Sequence, residues 1–433
     1  MGQALTIDAL RRALADRRQD LVALTQDLVR IPTVNPPGAH YREACDLLAA
    51  RLRPQGFDCR MIRAEGTPGD SDRYPRWNLV ARREGPRPGP CVQFNGHIDV
   101  VEPGRGWTTD PFGGALIEVG DDWRIYGRGT CDMKGGLAAA IVAVEAALAL
   151  APGLPGAIEI TATADEETGG YGGVAHLAQL GLYAHVDHVI IPEPLNKDRV
   201  CLGHRGVWWA EIETMGRIAH GSMPFLGDCA VRHMGAILAE MEASLWPALA
   251  ERRTAMPVVP PAARASSLNV NSFHGGQAEP EPGFDGWPSP VVPDRCRMVI
   301  DRRFLAEEPI DRVKAELRAA IERARARRPF DYVLRDMHEV EPSMTAPEAP
   351  VAAALARAIE RTQGRPPEFV VSPGTYDQKH IDRIGRLKSC VAYGPGVLDL
   401  AHQPDEWIGV EDMLDAALVM GLALGELLGV TAT

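Results

Sequence analysis

The chain has 433 residues, more than the roughly 100–200 of an ordinary domain, so its length predicts two domains. With 45% hydrophobic and 24% charged residues, its composition is that of a globular protein. The net charge of −12 argues against a nucleic-acid partner, because binding to nucleic acid needs clustered lysine and arginine.

The first half of the chain alternates predicted helices and strands. Amphipathic helices are predicted over Asp8–Arg30 and Tyr41–Arg53. Further strands are predicted at Trp77–Ala81, Pro90–Phe94, Ala157–Thr163 and His188–Pro192, and further helices at Gly136–Leu150 and Gly172–Leu180. This alternation predicts an α/β domain with a central mixed, largely parallel sheet flanked by helices.

The alternation of predicted helices with short apolar strands ends near Arg205. Alternating strands are predicted at Val207–Met215 and Arg295–Phe304, and helices at Asp228–Ala243 and Pro309–Arg328. We therefore predict that residues 205–329 form a smaller inserted α+β domain, and that residues 1–204 and 330–433 together form the α/β domain. The returning segment runs through Pro350–Gln363, the predicted strand Leu387–Gly394 and a last predicted helix near Val410–Leu428.

Cysteine usage and apolar runs bear on the location of the protein. Eight cysteines without any CxxC pair are typical of a reduced cytoplasmic protein rather than a disulfide scaffold or a zinc ribbon. The longest apolar run, Leu137–Ala151, contains Glu145 and is shorter than the ~20 residues of a membrane-spanning helix. The N-terminal segment lacks the apolar core of a signal peptide. We therefore expect a cytoplasmic protein without membrane association.

A histidine follows the predicted strand Pro90–Phe94. His97 lies beyond the carboxyl end of this strand, where α/β sheets bind ligands. Asp99 can accept the second imidazole N–H and so fix the ring for metal binding. A histidine with a core or surface role is the alternative.

A glycine-rich loop, Gly127–Gly136, leads into the next predicted helix and presents Asp132 at its start. The loop does not match the spacing of the phosphate-binding Walker or GxGxxG motifs. Asp132 is therefore either a carboxylate ligand or a helix N-cap, which is the commoner role of aspartate at such a position.

The ends of two further strands are acidic. Asp165, Glu166 and Glu167 follow one predicted strand, and Glu193 follows the next. Adjacent carboxylates at the end of a buried strand repel one another unless cations offset their charge. A solvated acidic turn is the alternative. A second histidine, His402, follows the last predicted strand.

Five residues from successive strand or loop ends thus form one candidate set of metal ligands: His97, Asp132, Glu167, Glu193 and His402. Two imidazoles and three carboxylates without cysteine suit Zn²⁺, Mn²⁺ or Co²⁺. Five ligands are too many for one catalytic ion with an open position. They suit two ions ~3.5–4 Å apart with one bridging carboxylate.

This pattern resembles the co-catalytic metallopeptidase family that includes acetylornithine deacetylase, succinyl-diaminopimelate desuccinylase, aminoacylase and bacterial glutamate carboxypeptidase. The stretches that carry the resemblance are Asn95–Asp99, Gly127–Gly136, Asp165–Gly170, Pro192–Pro194, Gly216–Pro224, Asp301–Arg303, Gly374–Asp377 and His402. They cover most of the chain in the family's order.

The resemblance assigns roles to the candidate residues. It implies that His97 and Glu193 hold one ion, that Glu167 and His402 hold the other, and that Asp132 bridges the two. Zinc is the expected metal, with cobalt and manganese as alternatives.

Further roles concern catalysis and assembly. The resemblance implies that Glu166 is the general base and that His220, in the inserted domain, reaches the active site of a partner subunit in a homodimer. It also implies that Gly374 and Thr375 contact the substrate.

Two residues bear on the choice of substrate. Arg303 suits bidentate binding of a substrate carboxylate, whereas an ion pair with Asp301 or Glu307 is the alternative. The resembled family usually has an asparagine where this chain has Pro290, so the resemblance does not by itself establish the acyl-group contacts.

We therefore expect metal-dependent hydrolysis of an amide bond in a small molecule, first of all the deacylation of an N-acyl amino acid. A dipeptidase or carboxypeptidase would use the same site and the same chemistry, so these motifs do not separate the two. A non-catalytic, metal-stabilised binding protein would lack the base or a ligand, and neither is missing.

Overall fold

The computed structural model describes residues 5–276 and 289–430. These residues form two compact units. The first comprises the chain up to Gly203, Met344–Val370 and the chain from Tyr376 onward, and the second comprises His204–Ser343 and Val371–Thr375.

The α-helices are α1 (Ile7–Ala15), α2 (Arg18–Arg30), α3 (Tyr41–Leu52), α4 (Gly135–Leu150), α5 (His176–Gln179), α6 (Ala230–Glu240), α7 (Trp246–Ala250), α8 (Ile310–Arg327), α9 (Pro350–Gln363), α10 (Gln378–Arg383) and α11 (Val410–Leu427). The strands are β1 (Asp58–Arg63), β2 (Trp77–Glu84), β3 (Cys91–His97), β4 (Ala115–Val119), β5 (Asp122–Tyr126), β6 (Ala157–Thr163), β7 (His188–Ile191), β8 (Arg199–His204), β9 (Gly206–Met215), β10 (Ser267–Gly275), β11 (Arg295–Phe304), β12 (Asp331–Val340), β13 (Ser343–Met344), β14 (Glu368–Ser372), β15 (Cys390–Ala392) and β16 (Trp407–Gly409).

The first unit is built on a nine-stranded mixed sheet with the order β1-β2-β6-β3-β7-β15-β8-β13, in which β14 pairs with β8. Strands β6, β3, β7 and β15 run parallel, whereas β1 and β2, β2 and β6, and β15 and β8 are antiparallel pairs. Buried apolar side chains of α4, α9 and α11 pack with those of β3 and β6 in one core. The predicted α/β fold with a mixed sheet and flanking helices is confirmed.

Helix α4 lies inside this core. Together with the turn before it, over Thr130–Leu150, it is long and apolar enough to cross a membrane. However, 89% of its apolar segment is buried within the protein. Burial on all sides explains why α4 is apolar around its whole circumference, as a central core helix is.

The parallel register brings several strand ends to one edge of the sheet. His97 pairs with Thr163 across β3 and β6, and Phe94 pairs with Ile190 across β3 and β7. Every residue of β3 and β6 is buried, as expected for central strands covered on both faces. The turns that follow these strands are therefore neighbours at the carboxyl edge, where α/β sheets place their sites.

The second unit has a four-stranded antiparallel sheet with the order β10-β11-β9-β12. Alternate residues of β11 are buried, and they pack with apolar side chains of α6 and α8. This α+β unit extends to Ser343, whereas the sequence placed its end at residue 329. The reason is that β12 pairs with β9 over its whole length, from Asp331 opposite Met215 to Val340 opposite Val207.

Two features differ from the sequence prediction. The helix predicted over Asp8–Arg30 is broken between α1 and α2, so that α1 packs against α11 and α4 while α2 also contacts β5. The small sheet of β16, β5 and β4 was not predicted, because these strands are short and β4 does not alternate between apolar and polar residues: its Leu116 and Ile117 are adjacent and both exposed.

Candidate metal centre

His97, the last residue of β3, lies at the carboxyl edge of the sheet and is 1% exposed. Its Nδ1 lies 3.0 Å from the backbone carbonyl oxygen of Asp99 and 3.5 Å from Oδ1 of the same residue. Its Nε2 lies 3.0 Å from Oδ1 of Asp132 and 3.9 Å from Oε1 of Glu193. The backbone carbonyl therefore orients the ring so that Nε2 faces the two carboxylates.

The Asp99 carboxylate binds the backbone of Glu166 and Glu167 more closely than it binds the imidazole of His97. Its two oxygens accept the backbone N–H groups of Glu166 and Glu167, each at 3.1 Å, and Oδ2 also accepts Asn35 Nδ2 at 3.0 Å. The sequence assigned this carboxylate to the second N–H of His97. The nearer partner of that N–H is the backbone carbonyl, because the carboxylate is engaged by the turn after β6.

Asp132 lies between two ligand clusters. One cluster is His97, Asp132 and Glu193, and the other is Asp132, Glu167 and His402; in each, the candidate ligand atoms all lie within 4.8 Å of one another. Nε2 of His402 lies 3.0 Å from Oε2 of Glu167 and 3.6 Å from Oδ2 of Asp132. Asp132 is not the N-cap of α4, since that helix begins at Gly135 and Asp132 has φ −117° and ψ 96°.

Crowding of carboxylates dominates the electrostatics of the two clusters. Burial and the neighbouring Asp132 raise the pKa of Glu167 to about 7 and raise that of Glu193 well above its usual range. The hydrogen bond with Glu167 raises the pKa of His402 to about 9. Each of these shifts favours added positive charge, which a divalent cation would supply. The imidazole and carboxylate donors suit zinc, cobalt or manganese.

A buried ion pair behind the clusters was not found from the sequence. Oε1 of Glu406 accepts the backbone N–H groups of Gly129, Cys131 and Asp132 at 3.1, 2.8 and 3.1 Å, and Oε2 pairs with Arg128 at 2.5 Å. Arg128 also donates to the backbone oxygen of His402 at 3.2 Å. The pair thus connects the loop that carries Asp132 to the loop that carries His402.

Glu166 lies in the short helical turn Glu166–Thr168 beside Glu167. Its Oε1 accepts a hydrogen bond from Nζ of Lys379 at 2.7 Å. Sequence reasoning did not find Lys379, which lies in α10, because nothing in its local pattern distinguishes it from an ordinary helical lysine.

The remaining candidates belong to the second unit. His220 is exposed, and its Nδ1 accepts the backbone N–H of Ser222 at 3.1 Å, so Nε2 carries the hydrogen of the neutral ring. The loop of His220 is held by the backbone oxygen of Pro290, which accepts the N–H of Gly221 at 2.6 Å. Pro290 therefore contributes a backbone contact here.

Arg303 is engaged within its own unit. Its guanidinium donates to both carboxylate oxygens of Asp301, at 2.8 and 3.0 Å. Gly374 and Thr375 belong to the same unit, and the N–H of Gly374 donates to Oγ of Ser372 at 3.1 Å. The ion pair with Asp301, one of the two alternatives for Arg303, is thus present, and a substrate carboxylate would have to share this arginine with Asp301.

A comparison with protein families and a comparison with individual protein sequences agree with one another. Residues 93–426 match the pattern of Peptidase family M20/M25/M40. Over 398 residues the chain is 30% identical to succinyl-diaminopimelate desuccinylase of Stenotrophomonas maltophilia (strain K279a), covering 90% of this chain and 94% of that protein.

Solved structures share the fold. Human carnosine dipeptidase 1 superposes with a TM-score of 0.77 at 20% identity, covering 99% of this chain and 100% of that one. The YXEP protein of Bacillus subtilis, described as a dinuclear metal binding peptidase from the M20 family, gives a TM-score of 0.65 at 14% identity, covering 96% and 100% of the two chains.

The Glu406 contacts generate a prediction about metal affinity. Glu406→Gln should weaken metal binding about 10–100-fold, because an amide cannot both accept the three loop N–H groups and pair with Arg128. Affinity is measured by competition with a chromophoric chelator. The matched control is Glu145→Gln, which alters another buried carboxylate, paired with Arg51 at 2.7 Å. Equal weakening in both variants would show that Glu406 has no special role.

Proposed function

The chain belongs to Peptidase family M20/M25/M40 and is a metal-dependent hydrolase of amide bonds, and we propose that it removes the acyl group from an N-acyl amino acid. The observation that carries this proposal is the pair of ligand clusters that share Asp132. The desuccinylase relative, at 30% identity over most of both chains, supports deacylation of an amino acid over cleavage of a dipeptide.

We propose that His97 and Glu193 hold one divalent ion, that Glu167 and His402 hold a second, and that Asp132 bridges them. The grouping of these atoms around a shared carboxylate supports this assignment. When bound, such ions would lower the pKa of a water to about 7 and polarise the scissile carbonyl. Zinc is the first candidate, with cobalt and manganese as alternatives.

In this mechanism Glu166 is the general base. It takes a proton from the attacking water as the oxygen–carbon bond forms, and later delivers that proton to the leaving nitrogen as the carbon–nitrogen bond breaks. Asp99 positions the base, because its carboxylate holds the backbone of Glu166 and Glu167. The Nε2–H of His220 is suited to donate to the oxyanion of the tetrahedral intermediate.

The substrate is proposed to be a small molecule that bears a carboxylate. Arg303, whose guanidinium also pairs with Asp301, would bind that carboxylate. Gly374 and Thr375, in the same unit, would contact the rest of the substrate. A dipeptidase or carboxypeptidase activity is the second candidate, because the same hydrolysis serves both. We further propose a cytoplasmic enzyme without nucleic-acid or membrane partners; the net charge of −12 argues against nucleic acid.

The first prediction concerns metal and substrate. Removal of metal by chelation should abolish hydrolysis, and Zn²⁺, Mn²⁺ or Co²⁺ should restore it with up to two ions bound per chain. The measurement combines metal analysis with an activity screen of N-acetyl, N-succinyl, N-formyl and dipeptide substrates. Full activity in a chelated, metal-free sample would overturn the mechanism. Dipeptides turned over far better than acyl amino acids would favour the second candidate.

The second prediction separates the base from the ligand next to it. Glu166→Gln should keep both metals but lower kcat about 10²–10⁴-fold, because an amide cannot accept the proton. Glu167→Gln is the matched control in the adjacent position and should instead reduce metal content. Near-normal kcat in Glu166→Gln would show that another group is the base.

We also propose a homodimer formed through the second unit, in which His220 completes the active site of the partner. Three large apolar side chains within six residues of this histidine in the sequence are exposed: Ile218, Phe225 and Leu226 are 58%, 77% and 53% exposed. Several large apolar side chains left exposed in one short segment support an interface there. A two-fold axis would place each copy of the loop against the other chain.

Mixing of two inactive variants tests this arrangement. His220→Ala and Glu166→Gln chains should each be inactive alone. A mixed dimer contains one site that lacks both groups and one intact site, so activity should partly return after subunit exchange. Absence of recovery, with exchange demonstrated by differently tagged chains, would mean that His220 does not act across the subunits.

A further inference from the structure

Lys379 occupies an unusual position for a lysine. It lies in α10, its side chain is 1% exposed, and its Nζ lies 2.7 Å from Oε1 of Glu166. In the described residues this carboxylate oxygen is the hydrogen-bond partner of the ammonium group. A buried ammonium is costly unless it is paired, so the position of Lys379 is coupled to that of Glu166.

Charge around Lys379 keeps it protonated. Burial works to lower the pKa of Lys379, but the carboxylates of Glu166 and Asp377 outweigh burial and raise it. Asp377 is itself fixed, because its Oδ2 accepts Asn95 Nδ2 at 2.9 Å and Thr163 Oγ1 at 3.3 Å. Asn95 and Thr163 lie in β3 and β6, so the rigid sheet determines where this charge lies.

Another buried lysine of the same unit shows that a carboxylate partner is not obligatory. Lys134 donates from Nζ to the backbone oxygens of Leu28 and Ile31, each at 2.9 Å. Lys379 instead uses the one carboxylate that we propose as the base. Among the described residues no hydrogen bond reaches the second oxygen of Glu166, Oε2, which leaves that oxygen to accept a proton.

We propose that Lys379 is a positioning residue for the general base: it holds Oε1 of Glu166 and thereby directs Oε2 at the attacking water. The inference rests on the proposed function. The proton moves from the water to Oε2 and then to the leaving nitrogen, while Lys379 keeps its own protons throughout. Misplacement of a catalytic group by about 1 Å can cost about 10²-fold in rate.

The first experiment is a set of substitutions at this position. Lys379→Met should lower kcat about 10²-fold, with KM within about twofold and unchanged metal content, because the base is misdirected while the ligands stay in place. Lys379→Arg, which still donates to a carboxylate, should recover most of kcat. The matched control is Lys314→Met, which removes another lysine paired with carboxylates, Asp336 at 2.8 Å and Glu339 at 2.6 Å, and should leave kcat unchanged.

A double-mutant cycle makes the test specific. If Lys379 acts through Glu166, Lys379→Met should change kcat by less than about twofold when introduced into Glu166→Gln. Multiplicative losses, or failure of Lys379→Arg to recover activity, would overturn the proposal. Should Lys379→Met not fold, as judged by circular dichroism, Lys379→Gln enters the same cycle with the same expected non-additivity.

The two proposals fail in different ways. An inactive wild-type protein in the substrate screen, with metals bound, would contradict the proposed function itself. An active wild-type protein whose Lys379 and Glu166 losses multiply would contradict only the positioning role.

Discussion

Three carboxylates, Asp132, Glu167 and Glu193, are brought together at the carboxyl edge of the parallel strands, largely out of contact with water. Burial and the charge of Asp132 raise the pKa of both glutamates, that of Glu167 to about 7. Such an arrangement is unfavourable by itself and becomes favourable when positive charge is added. The rest of the centre follows from this constraint, because two imidazoles face the carboxylates at distances suited to shared cations.

The loops that carry the candidate ligands are held by hydrogen bonds with buried charged side chains. Glu406 gathers three backbone N–H groups of the loop that carries Asp132, and Arg128 joins that loop to the backbone of His402. Asp99 does the same for the turn of Glu166 and Glu167. These contacts link segments that are far apart in sequence, and they fix the separation of the clusters through backbone positions rather than through side-chain flexibility.

The sequence was sufficient to predict the fold class and to select the residues of the two clusters, because several motifs, each with a structural alternative of its own, together matched the pattern of one metallopeptidase family. It was not sufficient for Lys379 or Glu406. Their importance comes from burial and from partners 213 and 277 positions away, which no local pattern records. The end of the second unit was also misplaced, since whether β12 joins β9 depends on long-range strand pairing.

The central claim is that Asp132 is shared by two bound ions. The most direct measurement is anomalous X-ray diffraction from crystals of the zinc-loaded protein, recorded on both sides of the zinc absorption edge. We expect two anomalous peaks ~3.5–4 Å apart, with Asp132 between them, one beside His97 and Glu193 and the other beside Glu167 and His402. A single peak at full zinc occupancy, or two peaks that Asp132 does not join, would contradict this claim.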